Sequence, residues 1–235
     1  MKKILLLVVA SILSIGAINA QNLSTEVVAG LNVSNLGRFS SKAGFHAGVR
    51  FELALPSLAE GVYTNAGLLF TSKGAKLDLG DLGVGKANAY FLELPIHIGY
   101  KYTISDSFAI FGDVGPYVGY GLFGKTKSTS ISDYDDIREK YIYETETSDT
   151  FDQIKRFDLG VGLRVGFEFK KKYSISLSYD WGLLNTYKGD SDDYGDYGDY
   201  GDYGDYGDYG DYGDYIDLTP SMKHANLMIS LGYKF

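Results

Sequence analysis

Charged side chains fall at alternate positions through several segments of this chain. Side chains of that kind, gathered in an enclosed space, can pair, relay protons or line an ion path. Arg50 and Glu52, Glu93 and Lys101, Asp113, Asp158, Arg164 and Glu168, Asp180 and Lys234 all lie on the side of a period-two pattern that faces away from the apolar residues. Within a narrow cylinder such charges are tolerable only when partnered, so the expectation is a paired, hydrogen-bonded interior that works as a plug. A proton- or ion-conducting path is the alternative. The three histidines, His46, His97 and His224, share that side. His46 and His224 lie toward the same end of two strands that flank the first, which admits a metal or catalytic pair beside the plainer reading of satisfied interior histidines.

The second feature with chemical potential is a repeat. Asp193-Tyr194 is followed by seven Gly-Asp-Tyr units from Gly195 to Tyr215. They place Asp196, Tyr197, Asp199, Tyr200, Asp202, Tyr203, Asp205 and Tyr206 in the first half, and Asp208, Tyr209, Asp211, Tyr212, Asp214 and Tyr215 in the second. A period of three cannot be a two-faced strand, because each residue type would fall alternately on both faces. The repeat therefore belongs in a loop, within an acidic segment 189–220. Frequent glycine and unpaired aspartate imply an extended, mobile segment. Two functional readings stand beside that one: weak Ca²⁺ binding by carboxylates, without the nonapeptide pattern or rigid geometry of a calcium roll, and a tyrosine-rich contact surface for a protein or glycan partner.

Much chemistry is not indicated. The chain has no cysteine, which removes disulfides, thiolate metal sites and lipoprotein anchoring. No phosphate loop, zinc pattern or basic nucleic-acid patch occurs, and no Ser or His is spaced like a lipid-modifying barrel enzyme. No cofactor, metal site, catalytic residue or nucleic-acid partner is expected. The formal charge of −8 becomes −10 once Lys2 and Lys3 leave with the leader, but the eleven aspartates between Gly189 and Pro220 carry all of it and the remainder is near +1. Acidity belongs to one loop, not to the body of the protein.

The elements that position these residues read as strands. Residues 1–20 have the charged start, apolar stretch and small final residue of a signal peptide, leaving 21–235 as one exported domain. Beyond Ala20 no apolar stretch is long enough for a spanning helix. From Phe157 to Phe169 the odd positions are Phe, Leu or Val, while the even ones are Asp, Gly, Arg, Glu or Lys beyond it; Tyr173 to Leu183 and Leu227 to Phe235 alternate in the same way. Earlier segments around Val27, Phe45, Val62–Thr71, Tyr90 and Phe108–Leu122 bring the count to eight, an even number suited to a transmembrane barrel. Glycine mixed with long charged groups on one face suits the interior of a narrow barrel better than the wet face of a soluble sandwich. Short links (Leu55–Gly61, Ser105–Ser107, Lys170–Lys172) alternate with long ones (Lys73–Asn88, Gly124–Arg156, Lys188–Lys223), as periplasmic turns alternate with extracellular loops. The expected fold is all-β, an eight-stranded antiparallel transmembrane β-barrel in the outer membrane. Its partners would be outer-membrane lipid and the barrel-assembly machinery, the latter reached through the final strand ending in Phe235.

Four segments resemble the PorT-type outer-membrane β-barrel proteins of Bacteroidetes-type bacteria: Phe91–Tyr102, with Glu93-Leu-Pro-Ile96 its most characteristic piece, Gly115–Leu122, Phe157–Phe169 and Tyr179–Asn185. The resemblance implies the barrel fold and the outer membrane, and it suggests a component of a secretion or transport apparatus. From the residues themselves the expectation is a non-enzymatic barrel that displays mobile acidic loops for surface interaction or envelope integrity. A lipid-modifying enzyme is the third class.

Overall fold

The computed structural model describes residues 23–37, 39–78, 83–135, 140–188 and 222–235. Residues 1–20, expected as a signal peptide, and the Gly-Asp-Tyr repeat lie outside them. Nine strands follow in order: β1 (Leu23–Leu36), β2 (Ser40–Ala54), β3 (Val62–Asp78), β4 (Gly83–Ser105), β5 (Phe108–Asp135), β6 (Lys140–Asp149), β7 (Phe157–Phe169), β8 (Tyr173–Gly182) and β9 (His224–Lys234). A single helical turn, α1 (Thr150–Gln153), stands between β6 and β7. All pairings are antiparallel. Eight strands close into a ring, with β1 bonded to both β2 and β9 and β5 to both β4 and β7. Closure removes the open edges that a lipid-exposed sheet cannot leave unsatisfied.

Exposure is inverted relative to a water-soluble domain. Leu31 is 71% exposed, Leu231 64% and Ile229 56%, whereas Asp158, Lys73 and Glu93 are at most 2% exposed. Apolar residues outside and charged residues inside are stable only where the outer face meets hydrocarbon. Aromatic side chains band the outer face at two levels. Phe45, Phe70, Tyr90 and Phe123 form a chain of contacts with ring centroids 4.8–6.4 Å apart near one end. Tyr173, Tyr233 and Phe235 make another near the other end, at 5.2–5.5 Å. Amphipathic rings at those two depths suit the two membrane interfaces.

The start of β1, the end of β9 and the short turns β2–β3, β4–β5 and β7–β8 share one end of the ring, the periplasmic one by the usual arrangement of such barrels. There Phe235 N donates to Thr25 O at 2.9 Å and Lys234 N to Lys172 O at 2.7 Å, stitching the last strand to the first and to a turn. Lys170 and Lys171 turn the chain with φ of 51° and 57°.

At the opposite end the structure departs from the sequence reading. The links expected at Lys73–Asn88 and Gly124–Arg156 are largely strand. β3 runs on to Asp78, β4 starts at Gly83, β5 extends for 28 residues and β6 returns beside it. A transmembrane strand needs only about 9–11 residues, so the upper parts of β3, β4 and β5, with β6, form a four-stranded sheet that rises beyond the membrane on one side of the barrel. Serine, threonine and lysine dominate Lys125–Ser130, and water on both faces there erases the apolar period that marks a membrane strand.

One prediction tests the inversion. Ile229→Arg should cost roughly 2–4 kcal/mol, because it puts charge near the bilayer midplane. Leu58→Arg, at a residue 68% exposed in the β2–β3 turn, should be nearly neutral. Urea unfolding in phospholipid vesicles, followed by the heat-modifiable gel shift, distinguishes the two. Equal midpoints would contradict the membrane placement of the outer face.

Candidate functional site

Inward-facing side chains meet in three tiers. Nearest the short turns, Lys101 (β4) and Lys234 (β9) alternate with Glu52 (β2) and Glu168 (β7). Lys101 Nζ lies 2.9 Å from Glu168, and Lys234 Nζ lies 2.8 Å from Glu52 and 2.5 Å from Glu168; Lys101 also bonds Glu52. Two cations and two anions from four strands therefore neutralise one another.

The middle tier converges on Asp113 of β5. Its carboxylate accepts from Arg164 Nη2 at 2.6 Å and Nε at 3.0 Å, Tyr63 Oη at 2.6 Å, Asn65 Nδ2 at 3.2 Å and His97 Nδ1 at 2.7 Å. An ionised carboxylate only accepts, so His97 carries its proton on Nδ1. Arg164 also approaches Glu26 of β1 at 3.7 Å, and Ser174 Oγ of β8 donates to the same Glu26. Gly99 makes room here, since a Cβ would fall 2.5 Å from Asp113 Cβ and 2.7 Å from Tyr63 Cζ.

In the upper tier Lys73 sits 2.5 Å from Glu93 and 3.1 Å from Asp158. Thr71 donates to Glu93 at 2.7 Å and Tyr117 to Asp158 at 3.2 Å. Between the tiers a gap of about 20 Å³, lined by Arg50, His97, Arg164 and Asp180 among others, is the size of a single water.

Above this stands a cap. α1 lies over the barrel mouth with Phe151 only 2% exposed, edge-on to Phe91 at 5.8 Å. Asp149 caps the turn by accepting from Phe151 N at 2.8 Å. The Arg156 guanidinium covers the Phe151 ring at 4.3 Å, and its Nη1 donates to Leu122 O at 2.7 Å. Lys188 Nζ donates to Phe151 O at 2.7 Å. Gly121 is required beneath the ring, because a Cβ there would meet Phe151 at 2.2 Å. Leu36, Ala75, Ala89, Phe91, Phe151 and Ile154 make a small apolar cluster. Beside it a cavity of about 550 Å³ is lined by several of these residues together with Lys73, Lys188 and His224.

Of the charges singled out in the sequence, Glu52, Glu93, Lys101, Asp113, Asp158, Arg164, Glu168 and Lys234 are brought into these tiers. Arg50 and Asp180 are buried too, but form no ion pair among the described residues, and Arg50 Nη1 has no hydrogen-bond partner. The histidines do not meet. His46 bonds Ser230 Oγ at 2.8 Å, His97 serves Asp113, and His224 packs 5.3 Å from the Phe91 ring. His46 lies opposite Gly30 and His224 opposite Leu36 of β1, six residues apart, or about 20 Å along the strand. Among the described residues no group of three or more His, Asp or Glu side chains could hold a metal ion. The tyrosines and aspartates of the repeat lie outside the described residues.

Sequence reading missed Lys73, Glu26 and the Phe151 cap. Extending the odd register of Tyr63–Thr71 by one step would have reached Lys73, and the even register of β1 would have reached Glu26. Phe151 sits on an isolated helical turn, which no periodicity marks.

A closed ring with an apolar exterior, aromatic belts and an ion-paired lumen defines a small transmembrane β-barrel. The chain belongs to the family described as Outer membrane protein beta-barrel domain, which matches residues 15–188. Of the PorT-type resemblance seen in the sequence, the match supports this broader family and not the PorT type itself. The protein is accordingly an outer-membrane β-barrel. No curated protein sequence matches significantly. Among solved structures, Ail of Yersinia pestis in complex with the heparin analogue sucrose octasulfate is 14% identical, covering 92% of this chain and 100% of that one with a TM-score of 0.43. OprG of Pseudomonas aeruginosa is 11% identical, covering 91% and 96% with a TM-score of 0.45. Neisserial surface protein A is 6% identical, covering 92% and 98% with a TM-score of 0.42.

Two outcomes follow from the packed lumen. Arg164→Met strands Asp113 and should lower stability by about 3–5 kcal/mol, while the double variant Arg164→Met/Asp113→Asn should recover much of it. Denaturant midpoints of the three proteins measure this, and additive losses would remove Asp113 as the hub. In planar bilayers the mature protein should show no steady conductance steps; regular steps at any applied voltage would mean that the tiers open.

Proposed function

We propose that this protein is a non-enzymatic outer-membrane anchor that presents a raised sheet and an acidic repeat loop to the cell exterior, in surface interaction or envelope integrity. The observation that carries this reading is the contrast between the two ends of the barrel. The lumen is filled by ion pairs and covered by Phe151, whereas β3 to β6 continue well past the membrane as strand of polar sequence. A filled lumen offers no passage, and the Ser230–His46 contact is buried inside it, with no carboxylate on His46 Nδ1 to orient the ring. What remains available to a partner is the outward end.

The Gly-Asp-Tyr segment leaves from that same end, between β8 and β9. Tyrosines supply contact area at low entropic cost, so a protein or glycan partner suits the loop better than a tightly held cation. The PorT-like alternative rests on segments such as Glu93-Leu-Pro-Ile96, whose Glu93 and Pro95 are committed to the packed lumen. Among the described residues no surface feature favours it separately.

Excision of Gly195 to Tyr215 tests the reading. The shortened protein should still insert and show the heat-modifiable shift, and should lose the partner recovered by pull-down from whole cells with the full-length chain. Unchanged recovery removes the loop. In a gene deletion, an altered profile of secreted proteins would support the export apparatus instead, and a change in lipid A mass would support a barrel enzyme.

A further inference from the structure

On the outer face of the raised sheet, the register places three lysines side by side. Lys76 of β3 is the direct partner of Lys86 of β4, which is the direct partner of Lys127 of β5. Directly paired residues share a face with their Cβ atoms about 5 Å apart, and like charges so placed repel. The row continues outward to Ser40 opposite Lys76 and Thr147 opposite Lys127, so its lateral partners are hydroxyls; the carboxylates on that face stand one pair above and one pair below, at Asp78 and Asp149. All three lysines are exposed and form no ion pair among the described residues. A fourth, Lys42, reaches Asn88 across Gly74, one pair lower. Partial burial, with Lys76 and Lys86 as neighbours, holds the Lys42 ammonium below its ordinary pKa. Lys125 on the same face differs, because Asp149 stands opposite it.

The height of the row identifies its ligand. Four residues down the same face lies the row Ser72–Tyr90–Phe123, part of the upper aromatic belt. Four residues are about 13 Å along a strand, or about 9 Å in height at a tilt near 45°. The ammonium groups therefore stand just above the level where aromatic rings mark the outer interface, directly over lipid-facing Phe70, Leu92 and Tyr120. We propose that the Lys76–Lys86–Lys127 row binds the phosphorylated headgroup of an outer-leaflet lipid whose acyl chains cover the aromatic face below. One amphiphile then satisfies both parts of the face, and its phosphate relieves the repulsion among the lysines. This inference rests on the outer-membrane placement alone and not on the repeat-loop reading.

The test uses the full mature chain in non-ionic detergent, with lipid A carrying two phosphates as the probe and native mass spectrometry as the readout. The triple variant Lys76→Gln/Lys86→Gln/Lys127→Gln should lose affinity by on the order of a hundredfold, and arginine at the three positions should preserve it. The same glutamine variant should unfold at a higher temperature than the native chain in lipid-free detergent, because mutual repulsion is gone. A row with a merely structural role would not raise stability while abolishing binding. Dephosphorylated lipid A and phosphatidylcholine should bind the native chain no better than they bind the variant. Equal affinity for phosphorylated and dephosphorylated lipid, unchanged binding by the triple variant, or displacement of the lipid by equimolar inorganic phosphate would each overturn the proposal. The comparison of probes needs only the native chain, so it decides the matter even where a variant does not fold.

Discussion

Asp113 receives five donor atoms from four residues, and through them it ties together most of the barrel wall. Tyr63 and Asn65 bring in β3, His97 brings in β4, and Arg164 brings in β7. Arg164 then extends the connection to Glu26 on β1, which Ser174 joins from β8. A carboxylate in so enclosed a place is stable only because every approach to it is a donor. Backbone ladders close the ring around its circumference; this cluster closes it across its diameter. The tiers above and below repeat the device with Lys73 between Glu93 and Asp158, and with two lysines between two glutamates.

Such packing across the lumen constrains the wall. Eight strands leave an interior just wide enough for side chains, so long charged groups on some strands require nearly nothing on others. Gly99 opposite the Asp113 cluster and Gly121 beneath Phe151 are the places where this is most demanding. The alternation of glycine with charge that reads as odd in a soluble protein is thus a packing requirement. It also explains how the lumen is filled: most of the groups that could line a path are spent on one another, and the Phe151 cap covers them on the exterior side with its own anchors in Arg156 and Lys188.

Much of this was legible in the residues. The parity of Phe157–Phe169 and Tyr173–Leu183 marks which side meets lipid, and the same parity names Arg164, Glu168 and Asp158 as interior. Membrane segments are legible because hydrocarbon on one face and a tight lumen on the other impose a strict period of two. Where water reaches both faces, that pressure ends. Lys76–Asp78 and Lys125–Asp135 are strand, but their composition is polar and carries no apolar period. Lys73 marks the boundary: it looks like the first residue of a surface link, yet it is the most deeply paired cation of the lumen. The Phe151 cap was illegible for a different reason. Its place depends on Gly121, Arg156 and Lys188, which are distant in sequence and meet only once the barrel has closed.

The two populations of lysine argue where function lies. Inside, each lysine of the tiers touches two carboxylates, and these cations are consumed in holding the fold. Outside, Lys76, Lys86 and Lys127 face one another across adjacent strands at a cost to the folded state. Real proteins tolerate such local conflict chiefly where binding compensates for it. Laterally the row is flanked by the hydroxyls of Ser40 and Thr147, whereas Lys125, one pair lower, has Asp149 opposite it. The surplus of positive charge at the outer rim of the membrane is then best understood as a surface completed by something that is not part of the protein.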